Sequence, residues 1–190
     1  PDGTGTLSYS WQISSDKSTW SEVGTSSSYL ITKSDENKYI RAVISYLDNE
    51  GFSEEVSTEN QFIKVNLIGD EEDNLITGTS GSDIISGLGG DDTLIGGDGD
   101  DTISGGSGTN TIYGDAGDDS ITSSGSDTVY AGDGNNSILI TSTATGGTYS
   151  SGSGNDSYTI KTGATGQYYL STTNGSNNFV IESGVSPEIT

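Results

Sequence analysis

Residues 69–139 read GDEEDNLIT (69–77), GTSGSDIIS (78–86), GLGGDDTLI (87–95), GGDGDDTIS (96–104), GGSGTNTIY (105–113), GDAGDDSIT (114–122), SSGSDTVY (123–130) and AGDGNNSIL (131–139). These are eight tandem copies, nine residues long except the seventh, which has eight. Position 8 of the aligned copies is always aliphatic: Ile76, Ile85, Leu94, Ile103, Ile112, Ile121, Val129 and Ile138. Position 6 is always Asp or Asn: Asn74, Asp83, Asp92, Asp101, Asn110, Asp119, Asp127 and Asn136. A short fixed period dictates architecture before any residue propensity does.

The Gly-rich first half of each copy suits a tight turn, because glycine enters left-handed conformations without steric cost. The last three residues, such as Thr102-Ile103-Ser104, alternate polar, apolar, polar, as in a short strand with one side chain inward. Strand and turn alternating at this period build a parallel β-solenoid whose thin core is the column of position-8 aliphatics. A flexible Gly/Asp-rich linker has no reason to hold that column in register. Residues 69–136 also carry fifteen Asp or Glu and no Lys or Arg. Stacked turns of that charge repel one another, so something cationic must sit between them.

The copies resemble the hemolysin-type calcium-binding repeats of RTX proteins, with the pattern G-G-x-G-x-D-x-U-x. Gly96-Gly97-Asp98-Gly99-Asp100-Asp101-Thr102-Ile103-Ser104 matches it in full. The resemblance implies that two copies make one coil and that each turn stacks on the turn two copies later. It further implies calcium between stacked turns, held by position-6 side chains and turn carbonyls, a donor set suited to a hard dication that takes six to eight oxygens. Two columns of metal ligands follow: Asp83, Asp101, Asp119 and Asn136, and Asn74, Asp92, Asn110 and Asp127. Asn supplies an oxygen but no charge, so the first column should bind tighter. The remaining acids, among them Asp91, Asp100 and Asp118, read as solvated or as contributing only backbone carbonyls.

Composition narrows the function classes. A net charge of −22 speaks against nucleic acid as a partner and against insertion into an anionic membrane. No apolar run reaches the length of a membrane span. There is no cysteine, so a disulfide framework is excluded and metal is the obvious staple. Without His or Cys there is no zinc-protease motif, Ser-His dyad or thiol nucleophile, and no enzymatic activity is expected. The chain starts at Pro1 without a methionine or visible signal peptide, and so reads as a slice of something larger. RTX resemblance implies type I secretion, although no convincing secretion signal follows Ser183.

Outside the repeats the grammar changes. Leu7, Tyr9, Trp11 and Ile13 alternate with polar residues as in a half-buried strand. Trp20 to Val23, Tyr29 to Thr32, Tyr39 to Tyr46 and Phe52 to Ser57 read as further strands, with a turn at Asp48-Asn49-Glu50-Gly51. Asp35-Glu36-Asn37-Lys38-Tyr39 resembles a tyrosine corner, and the segment is similar to the tandem Ig-like repeats of large bacterial adhesins. The match covers roughly 55 residues against about 100 for a complete sandwich. A sandwich lacking its first strands and a reduced sheet capping the solenoid are the two readings. Residues 61–68 read as the first coil. After Ile138 the period loosens, and Tyr149, Tyr158, Tyr168 or Tyr169, and Phe179 read as larger core residues of metal-free coils. Val185-Ser186-Pro187 reads as an exit linker.

The fold expected is all-β, a parallel β-roll or β-solenoid with calcium-binding turns, preceded by a partial Ig-like β-sandwich. The domains are 1–60 (Ig-like), 61–139 (calcium-binding β-roll) and 140–190 (degenerate β-coil cap and linker). The function expected is a calcium-folded structural or adhesive module of a large secreted or cell-surface protein. Its partners would be calcium ions, neighbouring domains of the same chain and a cell-surface or matrix ligand. The alternatives are a non-catalytic C-terminal secretion module of an RTX enzyme and an ice-binding solenoid.

Overall fold

The computed structural model describes residues 6–47, 53–183 and 188–189. The chain divides into two compact units, Pro1–Lys64 and Val65–Thr190.

In the first unit, β1 (Thr6–Ser14), β2 (Ser21–Gly24), β3 (Tyr39–Leu47), β4 (Ser53–Ser57) and β5 (Gln61–Phe62) form one antiparallel sheet. Its order is β2-β1-β3-β4, with β5 also paired to β3. Alternation places Leu7, Tyr9, Trp11 and Ile13 opposite Tyr46, Ile44, Ala42 and Ile40 on a common face. Ile40 and Ala42 are buried and Trp11 is half-buried, its indole N–H donating to the Ser26 carbonyl at 3.0 Å. Tyr29 to Thr32 is not a strand. Leu30 is 83% exposed, and the segment is held instead by Asp35, which accepts the Thr32 amide and hydroxyl and the Tyr29 hydroxyl. Those bonds keep the buried Asp35 carboxyl below its ordinary range, the Thr32 amide contributing most. The tyrosine at that corner is thus Tyr29, while Tyr39 packs on Phe62. Gln61-Phe62 pairs within this sheet, and the first coil begins at Asn66. The expected turn at Asp48 to Gly51 and the exit linker at Val185 to Pro187 lie outside the described residues.

The second unit is a parallel β-solenoid of two seven-stranded sheets. One contains β6 (Asn66–Ile68), β8 (Ile84–Ser86), β10 (Thr102–Ser104), β12 (Ser120–Ser123), β14 (Ser137–Ile140), β16 (Ser157–Ile160) and β18 (Asn178–Ile181). The other contains β7 (Leu75–Thr77), β9 (Thr93–Asp98), β11 (Thr111–Ala116), β13 (Ser126–Tyr130), β15 (Gly146–Ser150), β17 (Gln167–Ser171) and β19 (Glu188–Ile189). Every strand pairs with the strand two further on, so two copies do make one coil.

Register stacks like on like. Leu67, Ile85, Ile103, Ile121, Ile138, Tyr158 and Phe179 form one inward column, and Ile76, Leu94, Ile112, Val129, Tyr149 and Leu170 the other. From Ile85 to Tyr158 these side chains are essentially inaccessible to solvent. Burying each contributes about 1.5–3 kcal/mol, and the columns make up most of the apolar core of the repeats, with Ala131 beside them. The coils continue past the acidic repeats, as the aromatic spacing implied. Tyr149 and Tyr158 are core residues; Phe179, expected as a third, stacks on Tyr158 at 5.0 Å but is 47% exposed, because it lies on the last described strand of its sheet. Tyr168 is buried, whereas Tyr169 points outward.

Candidate metal centre

Each turn between strands delivers its position-6 side chain to the interior. Asp83, Asp92, Asp101, Asn110, Asp119, Asp127 and Asn136 are all buried, and Asn74, in the first turn, is half-buried. The parallel register aligns them in the two columns drawn from the sequence. The Asp83 amide donates to Asp101 Oδ1 at 2.7 Å, Asp101 to Asp119 Oδ1 at 2.9 Å, and Asp119 to Asn136 Oδ1 at 2.9 Å. In the other column Asn74 donates to Asp92 Oδ1, Asp92 to Asn110 Oδ1 and Asn110 to Asp127 Oδ1, each at 2.9 Å. From Asp92 to Asn136, one side-chain oxygen per position-6 residue therefore satisfies an amide of the preceding coil, as buried backbone donors require.

The second oxygen separates the residues into two classes. Asp92 Oδ2 and Asp119 Oδ2 are buried with no hydrogen-bond partner, as is Asp83 Oδ1. At Gly87 a Cβ would overlap Asp92 Oδ2 and the Gly105 carbonyl oxygen; at Gly114 it would overlap Asp119 Oδ2 and the Ala131 carbonyl oxygen. The same lining recurs at Gly96, between Asp101 Oδ2 and the Gly114 carbonyl; at Gly78 it is formed by Asp83 Oδ2 and the Gly96 carbonyl, but there Asp83 Oδ2 already accepts the Thr79 amide at 2.6 Å and the Thr79 hydroxyl at 3.0 Å. Position-1 glycine thus keeps open a cradle lined by a carboxylate oxygen of its own copy and a carbonyl of the next coil. An unpaired buried carboxylate oxygen is costly, and a hard cation that accepts carboxylate and carbonyl oxygens together fits this donor set.

The other class is satisfied by protein. Asn74 Oδ1 accepts the Asp70 amide, and its Nδ2 donates to Asp70 Oδ1. Asn110 Nδ2 donates to Asp127 Oδ1, and Asn136 Nδ2 to the Ser151 and Gly132 carbonyls. Asp127 has partners on both oxygens, because the Ser123 hydroxyl donates to Oδ2 at 2.6 Å and is itself bonded to the Tyr149 hydroxyl. Ser123 and Ala131 replace position-1 glycine in these last two copies.

Burial pushes the Asp119 carboxyl up to about 7, against the Asp101 amide that bonds it, with the charges of Asp101, Asp100 and Asp115 adding to the rise. Among the described residues no three Asp, Glu, His or Cys side chains converge on one point. Cradles built from one carboxylate and neighbouring carbonyls need no such cluster.

Two features escaped the sequence. Position-5 side chains form a second, exposed ladder in the opposite sense: Asp91 Oδ1 accepts the Thr109 amide, Asp100 Oδ1 that of Asp118, and Asp118 Oδ1 that of Asn135. These acids are solvated, as expected, yet they tie adjacent coils. Asp156 extends the first position-6 column: its Oδ1 accepts the Asn136 amide at 2.9 Å, and its own amide donates to Asn177 Oδ1 at 2.8 Å. Ser151-Gly152-Ser153-Gly154-Asn155-Asp156 carried the signal, a repeat with serine at position 1.

The profile of the RTX calcium-binding nonapeptide repeat (4 copies) matches residues 68–103, 86–121 and 121–139, which is less than half of the chain. No curated protein matches the chain. RTX nonapeptide repeats bind calcium, and the parallel β-solenoid of the matched segment is consistent with an RTX β-roll.

Proposed function

We propose that this chain is a non-catalytic, calcium-folded segment of a larger secreted or cell-surface protein, in which it extends or presents neighbouring adhesive domains. The observation that carries this reading is the set of buried carboxylate oxygens facing glycine cradles in Asp83, Asp92, Asp101 and Asp119. These four would hold calcium with the carbonyls of Gly96, Gly105, Gly114 and Ala131. Asn74, Asn110 and Asn136 would align the columns, and Asp127 would close the second. Bound calcium supplies positive charge between acidic turns and no chemistry beyond that. Because such a site exists only in the folded chain, binding free energy is folding free energy. Calcium is scarce in the cytoplasm and millimolar outside, so the metal would act as a compartment switch. Extracellular calcium modules bind at about 10⁻⁴ to 10⁻³ M.

The adhesin reading rests on the N-terminal unit, an antiparallel sheet with Trp11 half-buried on its apolar face, which we read as part of an Ig-like sandwich. A secretion module of an RTX enzyme has no such sheet in its favour. Ice binding is weaker still: Thr93, Thr111, Thr128 and Thr148 stack in register, but Ile95, Tyr113 and Tyr130 share their face and break a flat hydroxyl array. Circular dichroism and hydrodynamic radius, measured with calcium and then with chelator, test the proposal. Compaction with gain of β-signal on adding calcium is expected; a chain equally folded in both sinks it.

A further inference from the structure

The solenoid has two turn edges of unlike chemistry. The turns leading into β10, β12 and β14 carry Asp98, Asp100, Asp115, Asp118 and Asp133, all exposed. The other edge, formed by the turns that lead into β9, β11, β13, β15 and β17, is hollowed by two cavities of about 660 and about 400 Å³. Ser126 and Thr145 line both, so the hollows join into one groove. Among the described residues its one charged lining side chain is Asp127, which is buried with both carboxylate oxygens already bonded. Glycines form much of the floor, and the exposed Ser107, Ser126, Thr145 and Thr148 supply hydroxyls along the rim. Apolar side chains stand at the two ends. Tyr169 is 48% exposed, pairs in register with Thr148, and donates its hydroxyl to Gln167 Oε1 at 3.1 Å. Leu88 is 45% exposed and holds a left-handed backbone (φ 75°) where the next stacked copy has Gly106 (φ 87°). Neither burial nor backbone conformation favours leucine there, whereas a groove gains a wall from it. Four coil steps separate Leu88 from Tyr169, roughly 19 Å at the ordinary strand spacing.

We propose that this groove binds a neutral, linear polysaccharide, seated along the stacked turns between Leu88 and Tyr169. A sugar chain offers hydroxyls that both donate and accept, matching the serine and threonine rim, and apolar C–H faces that pack on a tyrosine ring. The length of the groove suits an extended oligomer better than a single ring. An anionic polymer is opposed by the field of a chain of net charge −22, and a cationic one is drawn to the aspartate edge instead. A peptide strand finds no free backbone ladder in the groove, because the Ser107, Thr109, Thr145 and Thr165 amides already bond the preceding coil. The inference names a ligand class for the adhesive reading and draws on calcium only to keep the solenoid folded.

The test is isothermal titration of the full chain in saturating calcium, its folding checked by circular dichroism in the same sample. Cellohexaose, maltohexaose and mannohexaose are the neutral probes, and a hyaluronan hexasaccharide is the anionic one. At least one neutral hexaose should bind, and bind tighter than hyaluronan. Tyr169→Ala should weaken that binding roughly tenfold. Leu88→Gly separates binding from folding: glycine suits the left-handed backbone, so the thermal midpoint should hold or rise while affinity falls several-fold. A folded chain that binds none of the neutral probes, or prefers hyaluronan, overturns the inference and leaves the calcium reading standing. Wild-type affinity in both variants overturns it equally. A chain that folds and binds the sugar just as well in chelator keeps the groove and sinks the calcium reading.

Discussion

At Gly78, Gly87, Gly96 and Gly114 the space behind the position-1 glycine is lined by carboxylate and carbonyl oxygens; beyond Asp127, in the second column, a glycine and then a tyrosine occupy the equivalent ground. The register makes the substitution explicit. Asp127 pairs with Gly147, and Gly147 with Tyr168, so position 6 passes from aspartate through glycine to tyrosine. At Gly147 a Cβ would meet Tyr149 Cε2 at 2.8 Å and its hydroxyl at 2.9 Å. The Tyr168 hydroxyl, in turn, bonds the Thr165 carbonyl at 2.7 Å and the Ala144 carbonyl at 3.1 Å. On the proposed function, one solenoid closes its turns with two chemistries: an ion that must be supplied, and phenols that come with the sequence. The acidic coils would then be conditional on their surroundings, and the aromatic coils much less so.

The largest break between the halves should come from removing calcium. Amide exchange across 83–136 should accelerate by about a hundredfold or more on chelation, since a site held at 100 times its Kd contributes about 2.7 kcal/mol. Exchange across 146–160 should accelerate far less, and equal acceleration in both halves would erase the comparison. Next in size are single ligands. Asp101 lies mid-column, between Asp83 and Asp119, so Asp101→Ala should raise the calcium midpoint of folding roughly tenfold, about 1.4 kcal/mol. Asp92→Ala, flanked by Asn74 and Asn110, should raise it less, and Asn74→Ala least. A titration that puts Asp92→Ala clearly above Asp101→Ala would show the columns to be ranked wrongly.

Acid should sharpen the contrast from another side. With the Asp119 carboxyl raised to about 7 in the folded, metal-free chain, its contribution to stability is fully present below the ordinary carboxylate range. That contribution is lost as pH rises through about 7. The metal-free solenoid should therefore be more ordered at pH 5 than at pH 8 by circular dichroism. Calcium binding needs the carboxylate, so the calcium midpoint should worsen as pH falls. Both dependences running the same way would contradict the assignment. A calcium-independent effect is expected at the junction. Ser123→Ala leaves Asp127 Oδ2 and the Tyr149 hydroxyl each short of a partner, at about 1–3 kcal/mol in thermal or urea unfolding. The loss should be the same with and without added calcium, if that turn is closed by protein alone.

The period exposed the acidic half almost completely, because position 8 and position 6 keep step at intervals of 18 and 17 residues between stacked amides and side chains. Farther on the interval becomes 20 and then 21, as the turns around Ala144 and Ala164 lengthen, and a nine-residue template slides out of phase. That is why Asp156 was not drawn into a ligand column, although Ser151 to Tyr158 still resembles the repeat. It is also why neighbouring Tyr168 and Tyr169 could not be told apart until pairing put the first inward. In the N-terminal unit the alternation from Leu7 to Ile13 marked its strand. Tyr29 to Thr32 looked equally apolar, yet hydrogen bonds to one buried carboxylate, Asp35, decide its path. A side chain acting on backbone several residues away leaves no periodic trace.

The buried ladder also has a sense of travel. In every step the earlier coil donates its position-6 amide and the later coil provides the acceptor, from Asn74 to Asp127 and from Asp83 through Asp156 to Asn177. A coil can settle its buried donor only on a neighbour already in place on its C-terminal side. The aromatic coils, least dependent on supplied ions, occupy that side, and the position-5 ladder of opposite sense is exposed and so weaker. Assembly would then start from a tyrosine-packed seed and advance rung by rung toward the N-terminus, each ion locking the rung just laid. In a calcium-jump experiment Tyr158→Ala should slow the rise of β-signal more than a comparably destabilising Leu94→Ala. Equal rates for the two would leave the solenoid without a starting end.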